Sequence, residues 1–572
     1  MNTGNMLMAK WKLIILALGA VTIAACGGGS SDSSTTPSEP APIPTTPPPP
    51  PPPPPEPEPT LEEKQRDAAR LLNQATFGAR LTDIETVVEI GVESWISQQF
   101  ALPVTSAVDT LEMIDETKDD EELYRHHRVN AWWQSAVYAQ DQLRQRVAFA
   151  LSQIMVVSDR SSFGNDHYGM VTYYDVLVSG AFGNFRDLLE DVTLSPAMGM
   201  YLSMLGNEKP DTERNIRPDE NYARELMQLF SIGLVELNQD GTIKRGIDNA
   251  PIPTYDQSTI EHYAHVFTGW HFAPTTEETW YRWWLNYDTE SPMTPVEAYH
   301  DKAEKTLLSD VIVPANQTAQ DDLAMALDSL FLHPNIGPFI GKQLIQKLVT
   351  SNPSAGYIAR VAAAFDDNGL GVRGDMKAVI TAILLDEEAR SLDTPDESFG
   401  KLREPLIKIA HMMRALDATQ EDGQIDLGYP DYFVNQAPQS APSVFNFFSP
   451  SYSTPGELSD NNLVAPELQI MTETYVVRAT NYFAYTALWS HSVEDPEPDQ
   501  LVIDYTEEIA MLDSPQTLLD HLALLFLNGD MSAGMQEALL DVLAETETWK
   551  PEDRVANLVF LVLASPQYAV QK

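Results

Sequence analysis

The fold class of this chain is clearest in residues 129–154, which read VNAWWQSAVYAQDQLRQRVAFALSQI. Apolar residues recur in this stretch every three or four positions: Val129, Trp132, Trp133, Ala136, Val137, Leu143, Val147, Leu151 and Ile154. A repeat of about 3.6 residues is typical of an amphipathic helix. Helical structure is therefore expected across this stretch, with one apolar face turned toward a core.

The same periodicity extends over most of the chain after residue 60, for example over 321–332, 376–385 and 515–527. Two residue pairs have the capping-box spacing that starts a helix: Thr60 with Glu63, and Thr82 with Glu85. Strand signals are few, and the clearest is a small hairpin over 237–243 around Asp240-Gly241. We therefore predict an all-α, multi-helix globular domain with long loops and at most a small hairpin.

The first 26 residues resemble a bacterial lipoprotein signal. Lys10 and Lys12 precede a mostly apolar run over 13–25, about 20 Å long as a helix and too short to span a bilayer comfortably. Cys26, the single cysteine of the chain, follows this run directly. The resemblance implies a signal peptide over 1–25, cleavage before Cys26 and a lipid on that cysteine. An uncleaved signal anchor with an incidental cysteine is the alternative.

Residues 26–59 have the composition of a tether. A Gly/Ser/Thr-rich start leads to nine consecutive prolines over 47–55. Polyproline rises about 3.1 Å per residue and acts as a semi-rigid spacer. We interpret the segment as a stalk that holds a domain off a membrane, although a ligand for a proline-binding module has the same composition. Polar stretches then predict two helical subdomains, 60–390 and 391–572.

The chain carries a strong negative charge. Its 83 acidic residues exceed its 36 basic residues, which gives a formal net charge of −47. Such charge argues against binding to nucleic acid and against adhesion to anionic lipid. The expected contact with a membrane is therefore through lipid on Cys26, and the acidity itself is most simply explained by solubility.

The common catalytic signatures are not found in the sequence. Gly369, Gly371 and Gly374 match the dinucleotide fingerprint by letter, but a helical segment precedes them where a strand is required. Asp375 is better interpreted as the N-cap of the following helix. The sequence has no HExxH, no GxSxG and no second cysteine. Metal and cofactor both stay unassigned.

Polar residues form a constellation over three segments. Asn221, Arg224, Glu225 and Gln228 share one helix face at i, i+3, i+4 and i+7 spacing. Two further groups follow along the chain: Glu261 with His262 and His265, and His300-Asp301 with Lys305. Carboxylates and histidines gathered in this way bind divalent metals or exchange protons. A solvated helix face with ordinary buried ion pairs is the alternative, and spacing alone favours it.

Tryptophans are concentrated in one region. Four of the ten fall within fifteen residues: Trp270, Trp280, Trp283 and Trp284. Such aromatic surfaces stack on sugars or anchor peptides. Packing into the core is the commoner explanation.

Several motifs resemble those of the bacterial family known as domain of unknown function 1800. They run in order over nearly all of 60–572: LLNQATFG (71–78), RQRVAFALSQ (144–153), NYARELM (221–227), FTGW (267–270), HD with a lysine (300, 301 and 305), HPN (333–335), PSVFNFFSP (442–450) and ASPQY (564–568). The resemblance implies an exported, mostly helical protein whose activity is not established. His262 and His265 do not belong to the pattern, which weakens a metal site built on them.

The resemblance also favours a functional role for residues of the polar constellation, because several of them belong to the family motifs. The candidates for catalysis are Glu225, Arg224, His300 and Asp301, and those for ligand binding are Asn221, Trp270 and Lys305. A frequent genomic companion, the sulfatase-like family domain of unknown function 1501, is an expected partner.

Two functions stay open for this chain. One is an outer-membrane lipoprotein, facing the periplasm or the cell surface, that binds or assembles an extracellular polymer with a secreted partner. The other is a surface-tethered hydrolase or transferase acting through a buried site of Glu225, Arg224 and His300.

Overall fold

The structure is a computed structural model that describes residues 58–117, 122–161, 163–392, 398–420, 423, 425–491 and 500–572. The predicted signal peptide (1–25), Cys26 and nearly all of the tether (26–59) lie outside these residues. Their assignments stay predictions.

The described part of the chain is built mainly from 25 α-helices. The first eleven are α1 (Leu61–Ala75), α2 (Leu81–Ile90), α3 (Val92–Ala101), α4 (Ala107–Glu116), α5 (Arg125–Tyr138), α6 (Gln142–Ser152), α7 (His167–Gly180), α8 (Phe185–Leu194), α9 (Pro196–Tyr201), α10 (Asn221–Gln228) and α11 (Gln257–Val266). The next seven are α12 (Ala319–Phe331), α13 (Ile336–Leu348), α14 (Ala355–Asp366), α15 (Met376–Leu384), α16 (Glu387–Arg390), α17 (Pro405–Ala415) and α18 (Asp431–Val434). The last seven are α19 (Glu457–Asp460), α20 (Glu473–Trp489), α21 (Thr506–Ala510), α22 (Pro515–Leu527), α23 (Ala533–Glu545), α24 (Pro551–Leu563) and α25 (Pro566–Ala569).

In the part of the chain that the structure describes, the named strands are short and pair as two-residue antiparallel ladders. They are β1 (Trp270–His271) with β2 (Thr294–Pro295), β3 (Lys305–Thr306) with β4 (Ile312–Val313), and β5 (Lys401–Leu402) with β6 (Val570–Gln571). Three short 3-10 helices cover Trp283–Leu285, Leu308–Asp310 and Pro466–Gln469. The predicted all-α class is confirmed, and the predicted hairpin is present as a bridge between Leu237 and Ile243. Within the described ranges, no helix has both the length and the apolar character needed to cross a membrane.

Helix starts follow local side-chain chemistry. The Thr60 hydroxyl accepts a hydrogen bond from the Glu63 amide, and the Glu63 carboxylate accepts one from the Thr60 amide, so the first predicted capping box is confirmed. The second is wrong, because α2 begins at Leu81 and Thr82 therefore lies inside the helix. Arg80 stands at the N-cap without a capping side chain.

The glycine-rich segment after α14 is a turn. Gly369, Gly371 and Gly374 all have positive φ, and a helix precedes them. The Asp375 carboxylate accepts hydrogen bonds from the amides of Lys377 and Ala378 at the start of α15. Rejection of the dinucleotide fingerprint and assignment of Asp375 as an N-cap are both confirmed.

The motif LLNQATFG ends where α17 passes close to the backbone. Gly78 has φ +135°, and a Cβ there would lie 2.4–2.6 Å from atoms of His411. The fully buried Arg414 donates to the Gly78 carbonyl at 2.8 Å and to the Val137 carbonyl at 2.9 Å. Only glycine meets both the positive φ and the close approach. This part of the motif therefore joins α17 to the N-terminal helices.

Residues Pro59–Lys572 form one compact unit. Helices from both sides of residue 391 contact each other within it, as α1 does with α22 and α5 with α17. The C-terminal residues of β6 pair with β5 some 170 positions earlier, which ties the chain end to the start of α17. The boundary between 60–390 and 391–572 stays a prediction.

Candidate functional site

His300 and Lys305 belong to a buried group that we call the Asp322 cluster (His300, Lys305 and Asp322). The Lys305 ammonium donates to Asp322 Oδ2 at 2.6 Å, and His300 Nε2 lies 3.2 Å from the same oxygen. All three residues are at most 2% exposed. Although burial opposes the charge of Asp322, bonds from His300 and Lys305 hold its pKa below the ordinary value.

The lysine of this cluster is fully used as a donor. Besides Asp322, its ammonium donates to the carbonyls of Asp301 at 2.5 Å and Ala303 at 3.0 Å. Three donors meet three acceptors, which is the full capacity of an ammonium group. Lys305 therefore holds the 301–305 turn against α12 and has no donor left for a ligand.

Asp301 continues the same network toward the surface. Its carboxylate contacts His265 Nδ1, and its amide donates to the Thr268 hydroxyl at 2.9 Å. Burial opposes the charge of Asp301, but the bond from His265, the bond from the Ala303 amide and the charge of Lys305 together lower its pKa to about 2. Position 269 of the motif FTGW requires glycine. Its φ is +85°, and a Cβ there would lie 2.8 Å from the His300 amide nitrogen.

Glu225 lies apart from this network on α10. The residue is 7% exposed, and its Oε2 has no hydrogen-bond partner. Burial raises the pKa of the Glu225 carboxyl, and Arg224 opposes that shift. Burial and the Glu225 charge together raise the pKa values of Tyr201 and Tyr255 to about 12, and the Tyr255 hydroxyl is likewise buried without a partner.

The other candidates on α10 point toward solvent. Arg224 pairs with Glu220 at 2.8 Å, its side chain is 40% exposed, and Asn221 is exposed. Within the described ranges, no hydrogen bond or ion pair joins Arg224 or Glu225 to His300 or Asp301. The structure therefore brings the predicted candidates together in two groups, one around Asp322 and one around Glu225.

The tryptophans do not form a common surface. Trp270 is completely buried in β1, so its ring packs in the core. Trp280 is 3% exposed and stacks on Tyr299 with ring centroids 4.1 Å apart. Trp284 is 60% exposed, and the side chain of Trp283 is outside the described part of the structure. Core packing thus accounts for Trp270 and Trp280.

A second buried charge network, which we call the Glu404 network, contains two residues of the family motif RQRVAFALSQ (144–153). Its members are Arg146, Gln153, Lys347, Lys401, Glu404 and Glu467, all at most 6% exposed. Gln153 accepts from the Lys347 ammonium at 2.5 Å and donates to Glu404 at 2.6 Å. Lys401 lies 3.1 Å from Glu467 and 3.7 Å from Glu404.

Charge and burial oppose each other in the Glu404 network. Burial lowers the pKa of Lys347 to about 8, while burial raises the pKa of Glu467. Burial also opposes ionisation of Glu404, but Lys401, Lys347 and Arg146 outweigh it and lower its pKa. A buried charge is tolerated only when it is paired in this way. The motif residues Arg146 and Gln153 therefore have a structural task.

A polar cleft that we call the tyrosine cleft has a volume of about 820 Å³. It is lined by Glu122, Leu123, Tyr124, Arg125, Phe163, Asn165, Asp166, His167, Tyr168, Tyr287 and Tyr429. Tyr124, Tyr287 and Tyr429 are 40–50% exposed. Sequence reasoning missed this site, because its residues come from four separate segments and follow no periodic spacing.

The walls of the tyrosine cleft are held by ion pairs and caps. Arg125 pairs with Asp159 at 2.7 Å and with Asp431 at 3.1 Å, and its guanidinium lies 5.5 Å from the centroid of the Tyr429 ring. Asp166 caps α7 by accepting from the Gly169 amide at 2.8 Å. The aromatic wall is thus positioned by a fixed polar frame.

Two titratable groups in the cleft have shifted pKa values. Burial lowers the pKa of His167, so its imidazole is neutral at pH 7, and its Nδ1 has no hydrogen-bond partner. Burial and the Asp115 carboxylate raise the pKa of Tyr168 to about 12, which keeps the phenol protonated. Neutral hydroxyls and an imidazole offer hydrogen bonds to an uncharged polar ligand.

Within the described ranges, no three histidine, cysteine, aspartate or glutamate side chains are placed to hold a metal ion together. His262 Nδ1 lies 2.7 Å from the Thr306 carbonyl, and His265 is engaged by Asp301.

Comparison with known proteins gives one match. A family model described as a protein of unknown function, DUF1800, covers residues 70–570. No curated protein and no solved structure matches the chain. The resemblance carried by the sequence motifs is confirmed over almost the whole folded region. This chain belongs to the DUF1800 family.

Proposed function

We propose that this protein is a binding protein that holds an extracellular polymer, with the tyrosine cleft as its ligand site. One observation carries the proposal: three partly exposed tyrosines and a neutral imidazole line a cleft of about 820 Å³. Ligand sites in proteins are concave, lined by aromatic groups and supplied with a few placed polar groups. Sugar rings suit such a cleft because their apolar faces stack on aromatic rings.

The proposal includes the address that the sequence predicts. Lipid on Cys26 and a stalk over 26–59 would place the folded region beside the outer membrane, facing the periplasm or the cell surface. A secreted protein of the family domain of unknown function 1501 is the proposed partner. The address rests on the sequence of residues 1–59, and the partner rests on the family resemblance.

Removing an aromatic wall of the cleft tests the proposal. We expect Tyr287→Ala and Tyr429→Ala each to weaken binding to the cell's extracellular polysaccharide by about 3- to 10-fold, as lost stacking of about 0.5–1.5 kcal/mol implies. The measurement is co-sedimentation of the purified full chain with that polysaccharide fraction over a range of polymer concentrations.

Tyr432 provides a matched control, because it is 72% exposed and lies outside the cleft. Tyr432→Ala should leave binding unchanged. Equal binding by all three variants and the parent chain would contradict the proposal, as would equal loss in Tyr432→Ala.

The second candidate function is a hydrolase or transferase that acts through Glu225. The observation that favours it is a buried carboxyl with a raised pKa, an unpartnered oxygen and two neighbouring tyrosines. A carboxylic acid with a raised pKa is suited to general acid catalysis near neutral pH. Arg224 would provide a positive charge beside Glu225. His300 and Asp301 belong to the group around Asp322 and have no role in this proposed enzyme.

The variant Glu225→Gln distinguishes a catalytic role of Glu225 from a purely structural one. Because burial raises the folded-state pKa of Glu225, its charge reduces stability as the pH rises above the unfolded value of 4.5. We therefore expect Glu225→Gln to raise the free energy of unfolding at pH 7 and to give no gain at pH 3, measured by urea denaturation. A catalytic Glu225 predicts loss of the biological phenotype in a variant that is at least as stable as the parent. A normal phenotype would rule the enzyme out.

A further inference from the structure

Within the described part of the chain, one side of α20 is left uncovered. Val477, Arg478, Asn481, Tyr485 and Trp489 are all exposed, and their spacing places them on the same side of the helix. Val477 is 60% exposed, and Tyr485 and Trp489 are each 63% exposed. The ring centroids of Tyr485 and Trp489 lie 5.9 Å apart. We call this side the α20 face.

The opposite side of α20 attaches the helix to the fold. Phe483, Thr486 and Ala487 are buried there, and α20 contacts α18 and α24. The α20 face points the other way, so packing of the fold does not explain why it carries two large aromatic rings. Contiguous exposed apolar surface on a protein marks an interaction site.

The surroundings of the α20 face are poor in acidic residues. Residues 474–493 contain no aspartate or glutamate, and neither do residues 432–456, which begin in α18 beside α20. The chain has 83 acidic residues among 572, so 45 residues of average composition would contain more than six. Arg478 lies within the face and forms no ion pair in the described part of the chain. The α20 face is therefore aromatic and carries a positive charge, unlike the chain as a whole.

This composition is typical of a contact between proteins. Aromatic residues and arginine are enriched in protein interfaces, whereas aspartate, glutamate and lysine are depleted. Tryptophan, tyrosine and arginine are also the residues on which binding most often depends. Two copies with a net charge of −47 repel each other, and they approach at least cost where acids are absent. The α20 face is such a place on each copy.

The α20 face is self-complementary when two copies meet antiparallel. Arg478 lies near the start of the 17-residue helix, and Trp489 is its last residue. Antiparallel pairing places the guanidinium of Arg478 against the indole ring of the partner's Trp489, and an aromatic face attracts a cation. By symmetry this contact forms twice, with Asn481 opposite the partner's Tyr485 between the two. Parallel pairing would instead bring the two arginines together.

We propose that the chain forms a symmetric dimer through antiparallel contact between the α20 faces of two copies. A fully covered aromatic side chain buries about 150–250 Å², so the exposed parts of Tyr485 and Trp489 from both copies supply about 500 Å². A standard interface buries about 1,600 Å² in total, so this contact is weak and the dimer forms in a concentration-dependent way. The dimer does not depend on the tyrosine cleft or on the proposed function.

Sedimentation velocity of the purified full chain, in one detergent and over a hundredfold range of concentration, tests the dimer. The parent chain should shift from monomer to dimer as its concentration rises. Trp489→Lys should weaken the association at least tenfold, because it sets an ammonium against the partner's Arg478. Trp549→Lys is the matched control and should associate like the parent, because Trp549 is 51% exposed between α23 and α24 and lies outside the α20 face. Melting temperatures equal to that of the parent would show that both variants fold.

A charge swap tests the antiparallel order. Arg478→Glu alone should weaken the association, because it replaces the cation on the indole ring with a carboxylate. Combined with Trp489→Lys in one chain, it gives opposite charges at each antiparallel contact and like charges at each parallel one. The double variant should therefore associate at least tenfold more tightly than Trp489→Lys.

Three results would overturn the proposal. The first is a monomeric parent chain at every concentration, which would leave the α20 face to a different partner. The second is equal association of the parent chain and a folded Trp489→Lys variant. The third is a double variant that associates no more tightly than Trp489→Lys, since that result would contradict the antiparallel contact.

Discussion

Replacing Glu404 by alanine should lower the free energy of unfolding by about 3–5 kcal/mol, because removal of one partner leaves buried charges uncompensated. Glu404 is fully buried and accepts from Gln153 at 2.6 Å and from Gln436 at 2.7 Å. Without it, the Glu404 network would hold three cationic side chains, those of Arg146, Lys347 and Lys401, against the single carboxyl of Glu467. We expect this loss in urea denaturation of the full chain at pH 7.

Glu545→Ala is the control for this prediction, because Glu545 is an exposed acid on α23. Its effect should stay within about 0.5 kcal/mol, as is usual for surface substitutions. The pH dependence gives a second readout. The lowered pKa of Glu404 means that its contribution is present above the unfolded pKa and is lost as the pH falls through the folded one. Stability at pH 7 equal to that of the parent chain would contradict the role given to this network.

The helices were the predictable part of this fold. Periodicity over 515–527 matches α22 (Pro515–Leu527), and the polar caps Thr60 and Asp375 start α1 and α15 as predicted. These signals are local, since a helix and its cap depend on neighbours three or four residues away. The capping box at Thr82 failed because α2 begins at Leu81, two residues earlier than a Thr82 N-cap requires, so Thr82 lies inside the helix.

The contacts between distant segments were not predictable. Gln153 donates to Glu404 across 251 positions, and Arg414 reaches Gly78 across 336. Arg146 and Gln153 belong to a family motif, but their partners Lys347 and Glu404 belong to no quoted motif. The same holds for Asp322, which binds both His300 and Lys305. Spacing along one helix cannot reveal an acid on another.

The candidate site shows the same limit. Sequence reasoning placed Arg224, Glu225 and His300 in one group, because polar residues are gathered in their segments and all three are also motif letters. The structure gives Arg224 an i,i+4 partner in Glu220, leaves one oxygen of Glu225 unpartnered and pairs His300 with Asp322. Motif membership therefore marked residues that are held in place, without telling a ligand site from a structural ion pair.

Asp322→Ala should lower the free energy of unfolding by about 3–5 kcal/mol, since it leaves the ammonium of Lys305 buried without its carboxylate. Lys305 is 2% exposed, and its two remaining acceptors are the carbonyls of Asp301 and Ala303. His300 loses its Nε2 partner in the same variant. The expected consequence is release of the 301–305 turn from α12, with a lower melting temperature of the full chain.

A double variant tests whether the loss comes from the stranded charge. Lys305→Met with Asp322→Leu removes both charges and keeps apolar volume, so it should recover most of the stability that Asp322→Ala loses. Asp321→Ala is the matched control, because Asp321 is the exposed neighbour on the same helix turn and its bond with Thr318 is at the surface. We expect that control to lose no more than about 1 kcal/mol as a helix-terminal acid. If the double variant were as unstable as Asp322→Ala, lost packing around α12 would be the cause. That result would contradict the claim that charge pairing in the Asp322 cluster stabilises the fold.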